Sequence, residues 1–312
     1  MAKLVEQITL GIDTCKDVLV VYHWEQAHCL SLANNRAEIR AWLRSLSAPA
    51  RLAIEPTSTY HLAVIEQAHA LGHTVYLINA RQIPHYRRAI EQRHKSDPHD
   101  AELLARYLAH EAAQLRPHQP QHPKAQRLWA LLKRRGAVVE ARKQLHQSLS
   151  SAKLRAKALF SQFEQLLKRI DRLMLELIRA LGWWPAYRHC RSVPGIGPTN
   201  AIALVSAFHR GAFANGDAFV AFLGLDVRLK DSGKFEGKRK LTKRGESELR
   251  RLLYCAAQAA RCHAPFEAYL QRQLEKGMSK TAAKVVLARK LARIAFALIQ
   301  SEKMFEKAPV GA

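Results

Sequence analysis

Between residues 7 and 78 the apolar positions change period repeatedly, and that succession constrains the fold more than any other feature of the chain. Residues 7–13, 17–24 and 27–32 alternate in the two-residue rhythm of strands across short polar turns, which predicts an antiparallel meander. Residues 35–46 then place Ile39, Trp42, Leu43 and Leu46 on one helical face. A short apolar strand at 51–54, a helix at 61–71 and a strand at 74–78 follow, giving the order β-β-β-α-β-α-β-α. Strands joined through helices need those helices packed on the sheet, so this part of the chain is α/β and neither all-helical nor all-β.

The rest of the chain reads differently. RPHQPQHPK at 116–124 sets three prolines in nine residues and marks the end of the first module. Leu145, Leu149, Ala152, Ala156, Leu159, Phe163, Leu166, Ile170, Leu173 and Leu177 step by four and three without interruption. That is the spacing of a coiled-coil seam; it predicts one long helix suited to a helical hairpin or to self-association, the alternative being a helix packed on its own domain. Beyond Trp183 and Trp184 come Gly, Pro and small apolar residues, then a basic stretch, then helices at 246–262 and 280–299. The expected organisation is an α/β domain at 1–115, a linker and basic coiled-coil segment at 116–182, and a mostly helical domain at 183–312. Three antiparallel strands followed by helix-linked ones is the layout of a ribonuclease-H-like domain, although many α/β domains share parts of it.

Charge narrows the partner. Fifty Lys and Arg against 26 Asp and Glu leave a formal charge of +24, which points to a polyanion. Twelve of the basic residues, against two Glu, fall in 124–169. An aromatic content of 7% argues against stacking platforms for single-stranded bases and for contacts to phosphates. The opening MAKLVEQITLGID has no basic start followed by a sustained apolar run, so a cytoplasmic protein without a secretory leader is expected. The longest uncharged run, 192–209, is broken by Pro194, Gly195, Gly197, Pro198 and Asn200 and makes a poor membrane span. Five cysteines without a C-x-x-C pair fit reduced thiols better than a disulfide framework or a zinc knuckle.

In so basic a chain the acids at strand and helix ends stand out. Asp13 closes the first strand in LGIDTCK, and Glu55 closes a later one in RLAIEPTSTY. Asp97 and Asp100 share a face at the start of the helix in KSDPHDAELLARYL. Asp97 before Pro98 also has the character of an N-cap, with Asp100 complementing the helix dipole, and Asp13 and Glu55 would serve as plain turn residues. If the four converge, their oxygens are hard ligands suited to Mg²⁺ or Mn²⁺ beside a phosphodiester.

GIDTCKDVL, AIEPTSTYH and KSDPHDAELLARYL resemble the DEDD transposases of insertion sequences and the related Piv-type DNA invertases, whose N-terminal domain is RuvC-like. Asp13, Glu55, Asp97 and Asp100 fall in order on that family's D-E-D-D positions, and the resemblance runs over nearly the whole chain. The family's KTDRIDA-like segment reads KSDPHDA here, with both acids kept.

Two C-terminal segments extend the resemblance. SVPGIGPTNAIALVSAF sets Gly195 and Gly197 in a turn before an apolar helix, similar to a helix-hairpin-helix element whose amides meet phosphate oxygens; a tight connection between helices would use the same glycines. FLGLDVRLKDSGKFEGKRKLTKRGESELRRLLYCAAQAA resembles the family's serine-glycine loop and SKRG-like turn, with Ser232 at the serine position. From the residues alone, a Ser-Gly pair is an ordinary turn, and only the ten Lys and Arg between Arg228 and Arg251 mark a phosphate site. Asp231 and Lys234 flank the pair where the family has a serine and a second glycine, and Lys243 and Arg244 are candidates to clamp a nucleic-acid backbone.

The resemblance implies a DNA recombinase in which Ser232 becomes covalently joined to a DNA strand while the acidic site and its Mg²⁺ or Mn²⁺ assist. It also implies a noncoding bridge RNA that selects target and donor DNA by base pairing, and assembly of the chain as dimers and tetramers. Two other readings stay open: a RuvC-like metal-dependent junction nuclease in which water attacks, and a non-catalytic nucleic-acid-binding protein. A Piv-type site-specific invertase is a further outcome of the same chemistry.

Overall fold

A computed structural model describes residues 8–80, 82–91, 96–228, 231–232, 235–236, 240–242 and 245–306. The chain forms two compact units, Met1–Pro120 and Gln121–Ala312.

The first unit carries strands β1 (Ile8–Thr14), β2 (Val18–His23) and β3 (His28–Ala33), helix α1 (Arg36–Arg44), strand β4 (Ala50–Ile54), helix α2 (Leu62–Ala70), strand β5 (Thr74–Leu77) and helices α3 (Gln82–Ala89) and α4 (Asp97–Glu111). The sheet order is β3-β2-β1-β4-β5, with β2 antiparallel to both neighbours and β4 parallel to β1 and β5. This mixed five-stranded sheet agrees with the ribonuclease-H-like layout expected from the order of periods.

Each face of the sheet has its own core. Leu10, Ile12, Leu52, Ile54 and Val75 pack against Ile39 and Leu43 of α1 and Val64, Ile65 and Ala68 of α2. On the other face Ala53, Tyr76 and Ile78 meet Leu103, Leu104 and Leu108 of α4. Each such buried aliphatic side chain contributes roughly 1.5–3 kcal/mol relative to exposure, which is why the strand rhythm was legible. Asn35 starts α1 by accepting a hydrogen bond from the Glu38 N–H at 3.0 Å, a cap worth about 1 kcal/mol.

The second unit comprises α5 (Pro123–Ser151), α6 (Lys157–Ala180), α7 (Trp184–Arg191), α8 (Pro198–Phe208), α9 (Gly216–Phe222), the short strands β6 (Val227–Arg228), β7 (Asp231–Ser232), β8 (Phe235–Glu236) and β9 (Lys240–Leu241), and helices α10 (Ser247–Ala260), α11 (Ala264–Glu275) and α12 (Lys280–Ser301). Apolar around its circumference, α8 sits inside the unit with every residue from Ala201 to Ala207 buried. It packs against α5, α6, α7, α10 and α12. Among the described residues, no helix is long and apolar enough to cross a membrane.

The single long helix expected over 145–177 is instead two. Lys153 adopts a left-handed φ of 56° while the Leu154 N–H donates to the Leu149 carbonyl at 2.8 Å, a Schellman-type stop at the end of α5. Ala152 and Ala156, which kept the four-three rhythm alive, fall in this turn; an alanine carries the pattern but too little burial to hold a helix straight through Ser148, Ser150 and Ser151. The two helices run antiparallel as a hairpin, tied by Arg135–Asp171 at 2.5 Å and by Arg142–Glu164. The stripe α6 buries is Leu167, Ile170, Met174 and Ile178, displaced from the expected seam by packing on the unit's own core.

Candidate functional site

The acidic centre is built by one close approach. An added Cβ on Gly11 would lie 1.9 Å from the Ala101 carbonyl and 2.4 Å from the Ala105 amide nitrogen, so α4 rests directly on the backbone of β1. Gly11 pairs with Ala53 of β4, and both face α4. Side chains alternate along a strand, so Asp13, two residues beyond Gly11, emerges on the same face, under the first turn of α4. Ile12 pairs with Ile54, which places Glu55 beside Asp13 at the ends of two adjacent parallel strands. The Thr14 hydroxyl, on a residue that is 2% exposed, donates to the Glu55 carbonyl at 3.5 Å and ties those ends together.

Asp97 is the first residue of α4 and Ser96 holds the cap position, its carbonyl accepting from the Asp100 N–H at 2.9 Å. The N-cap role considered for Asp97 is therefore displaced by one residue, because Pro98 fits inside the first turn as well as at its start. Ligand atoms of Asp13, Cys15 and Asp97 lie within 4.8 Å of one another. Partial loss of hydration, together with the facing carboxylates of Asp13 and Asp97, raises the Cys15 thiol above its usual pKa. Glu55 and Asp100 lie outside this cluster. Asp100 forms an ion pair with Arg87 of α3, both side chains largely covered. Arg87 and Cys15 were not singled out in the sequence; the available signal for Cys15 was its place two residues past Asp13, just beyond the strand.

A single amide organises the rim. Asn34 donates through Nδ2 to the Cys15 carbonyl at 2.8 Å and to the Tyr60 carbonyl at 3.0 Å, joining the segment after β1 to the one that follows Glu55. Replacing Gly11 with Ala is expected to push α4 off β1 and separate Asp97 from Asp13, at a stability cost of about 3 kcal/mol or more. Thermal unfolding reads this directly, and a variant that melts with the wild type would show that α4 does not need the close approach.

In the second unit Gly195 has a left-handed φ of 89°, and an added Cβ would stand 2.5 Å from the Cβ and amide nitrogen of Ala260. Its lack of a side chain thus serves the packing of the α7–α8 turn on α10. Gly197 occupies the N-cap position of α8, where an added Cβ would meet nothing nearer than Asn200 Nδ2 at 3.8 Å. Ser232 is the last residue of β7 and pairs with Phe235 across an antiparallel hairpin. Lys234, Lys243 and Arg244, like Gly233, lie outside the described residues.

Comparison with known proteins adds to this geometry. A DEDD transposase family profile of the IS110 type matches residues 10–155, and the profile described as Transposase IS116/IS110/IS902 family matches 187–271. The "Pilin gene-inverting protein" of Moraxella bovis is 26% identical over 96% of this chain and 97% of its own length, and that of Moraxella lacunata is 25% identical over the same shares. The "Probable family 20 transposase" of Pseudomonas aeruginosa is 28% identical over 95% of this chain and 98% of its own. With both family profiles matched in order on one chain, and with relatives aligned along nearly its full length, the protein belongs to the DEDD transposases of the IS110/IS116 type, enzymes that rearrange DNA.

Proposed function

We propose that the chain cleaves and exchanges DNA strands through a phosphoserine intermediate on Ser232, assisted by a divalent ion at the acidic centre and guided by a bridge RNA. The convergence of Asp13 and Asp97 under the first turn of α4 supports the metal-assisted part of this reading, while the roles of Ser232 and the guide RNA rest on the likeness to the family. Two carboxylates at ligand distance, with Glu55 in register beside them, form a hard donor set that fits Mg²⁺ or Mn²⁺. Asp13, Asp97 and Glu55 would hold the ion; Asp100 would join through its Arg87 partner's rearrangement or orient the helix start. Such an ion, when bound, neutralises phosphate charge and stabilises the attacking and leaving oxygens of an in-line displacement.

The Ser232 oxygen forms the new ester to phosphorus as the bond from phosphorus to a deoxyribose oxygen breaks. The serine proton is given up and the departing oxygen gains one, so the step balances without a redox partner. The ester keeps the energy of the broken phosphodiester, and attack by a second strand's hydroxyl regenerates the serine. Asp231 and Lys234 are the nearest groups in sequence to move that proton and to meet the scissile phosphate. Lys243, Arg244 and the turn of Gly195 and Gly197 contribute contacts to nucleic-acid backbone. Relatives named for inversion and for transposition both support breakage and rejoining, which the two outcomes share.

A guide RNA would place sequence selection in base pairing, leaving the protein to read helical shape and phosphates, as its charge of +24 favours. Assembly as dimers or tetramers is supported by the hairpin of α5 and α6, where Leu145, Leu154, Leu159 and Leu166 are exposed. Leu166→Asp should lower the mass seen by light scattering without lowering the melting temperature; an unchanged mass would remove the hairpin as the assembly surface.

The proposal is tested with end-labelled target DNA, Mg²⁺ and cognate RNA on a denaturing protein gel. Label that migrates with the chain and survives boiling in detergent supports it. Cleavage that yields only free ends rejects the covalent step and favours the junction-nuclease reading, in which water attacks at the acidic centre.

A further inference from the structure

Cys15 plays no part in the reaction just described, yet its thiol shares the centre with two carboxylates. Its position is set by backbone. The Cys15 N–H donates to the Val18 carbonyl at 3.0 Å, and its own carbonyl accepts from Asn34 Nδ2 at 2.8 Å. A cleft of about 570 Å³, with Cys15, Lys16, Asp97 and Pro98 in its walls, gives solutes a way in. The donor set is mixed in character: carboxylate oxygens are hard, whereas sulfur is soft and polarizable and prefers ions such as Zn²⁺ and Cd²⁺.

We infer that Cys15 sets the metal preference of this centre, so that thiophilic divalent ions are captured by Asp13, Cys15 and Asp97 together while Mg²⁺ and Mn²⁺ are held by carboxylate oxygens alone. This rests on the metal role proposed for Asp13 and Asp97. On capture the S–H bond breaks, a sulfur–metal bond forms and the proton passes to solvent; nothing is oxidised or reduced. Zinc and cadmium thereby compete with the ions that support strand cleavage and act as inhibitors.

The test uses the full chain with Cd²⁺ and Mn²⁺ as probes. On titration with Cd²⁺ the wild type develops an ultraviolet sulfur-to-cadmium charge-transfer band, part of which Cys15→Ser lacks. Apparent Cd²⁺ affinity falls by about tenfold or more in that variant, the scale on which a ligand-shell change is felt. Cys29, Cys255 and Cys262 are present in both proteins, so their contribution cancels. Mn²⁺ binding, followed by electron paramagnetic resonance, persists in Cys15→Ser and is lost in Asp13→Asn. Identical Cd²⁺ spectra and affinities in wild type and Cys15→Ser, with Mn²⁺ still dependent on Asp13, overturn the role of Cys15 and leave the metal centre standing. Failure of the wild type to bind either ion through Asp13 overturns the metal centre itself, and the inference with it.

Discussion

Replacing Asp13 with Asn is expected to slow strand cleavage by roughly 10³-fold or more, because an ion that stabilises transition-state charge supplies several kcal/mol and each ~1.4 kcal/mol is a factor of ten. Asn nearly preserves the shape of Asp, so the strand should not notice the change. Asp13 pairs with Val20 at the edge of a ladder whose cohesion comes from Leu10 and Ile12, and neither is altered. Removing one of two facing carboxylates also relieves repulsion with Asp97. Nucleic-acid affinity, driven by the +24 charge, should survive or rise slightly. Raising Mg²⁺ or Mn²⁺ should restore little if, as proposed, the missing group is itself a ligand. A variant that cleaves at the wild-type rate under matched binding would mean that Asp13 merely ends a strand.

In the first unit the order of strands and helices was legible because each helix lays one apolar stripe on the sheet, Ile39 and Leu43 of α1 with Val64, Ile65 and Ala68 of α2 on one face and Leu103, Leu104 and Leu108 of α4 on the other. Asp13 and Glu55 could be placed at strand ends by the same reasoning. Their partners could not. Whether Asp100 turns toward Asp13 or toward Arg87 depends on where α3 sits, and no local pattern encodes that. Nothing local distinguishes Gly11 from any other strand glycine, because the α4 backbone that rests on it lies some ninety residues away in the chain. The hairpin misled in the opposite way: a rhythm maintained by Ala152 and Ala156 continued straight through a left-handed residue, because periodicity records which positions are small or apolar and not which of them are buried. The ladders of β6 to β9 are two residues each, too short for any alternation to register, and Ser232 within them was reached only through resemblance.

Ser232→Ala therefore carries the heaviest consequence. The substitution removes one oxygen from the end of β7, where backbone pairing with Phe235 needs no side chain, so the hairpin has no reason to open. It changes no charge, and the release of counterions that dominates binding to a polyanion is set by Lys and Arg. DNA and RNA affinity should thus match the wild type at every salt concentration. Chemistry should not: with the proposed nucleophile gone, cleavage is expected to fall by roughly 10⁴-fold or more, the scale seen when an enzyme loses the atom that forms its covalent intermediate. In the wild type, label from cleaved DNA should map by mass spectrometry to the peptide containing Asp231, Ser232 and Gly233, and the variant should show none. An adduct that persists in Ser232→Ala would move the nucleophile to another residue. Cleavage at the wild-type rate with no adduct in either protein would assign the attack to water at Asp13 and Asp97, and the serine would be a turn residue after all.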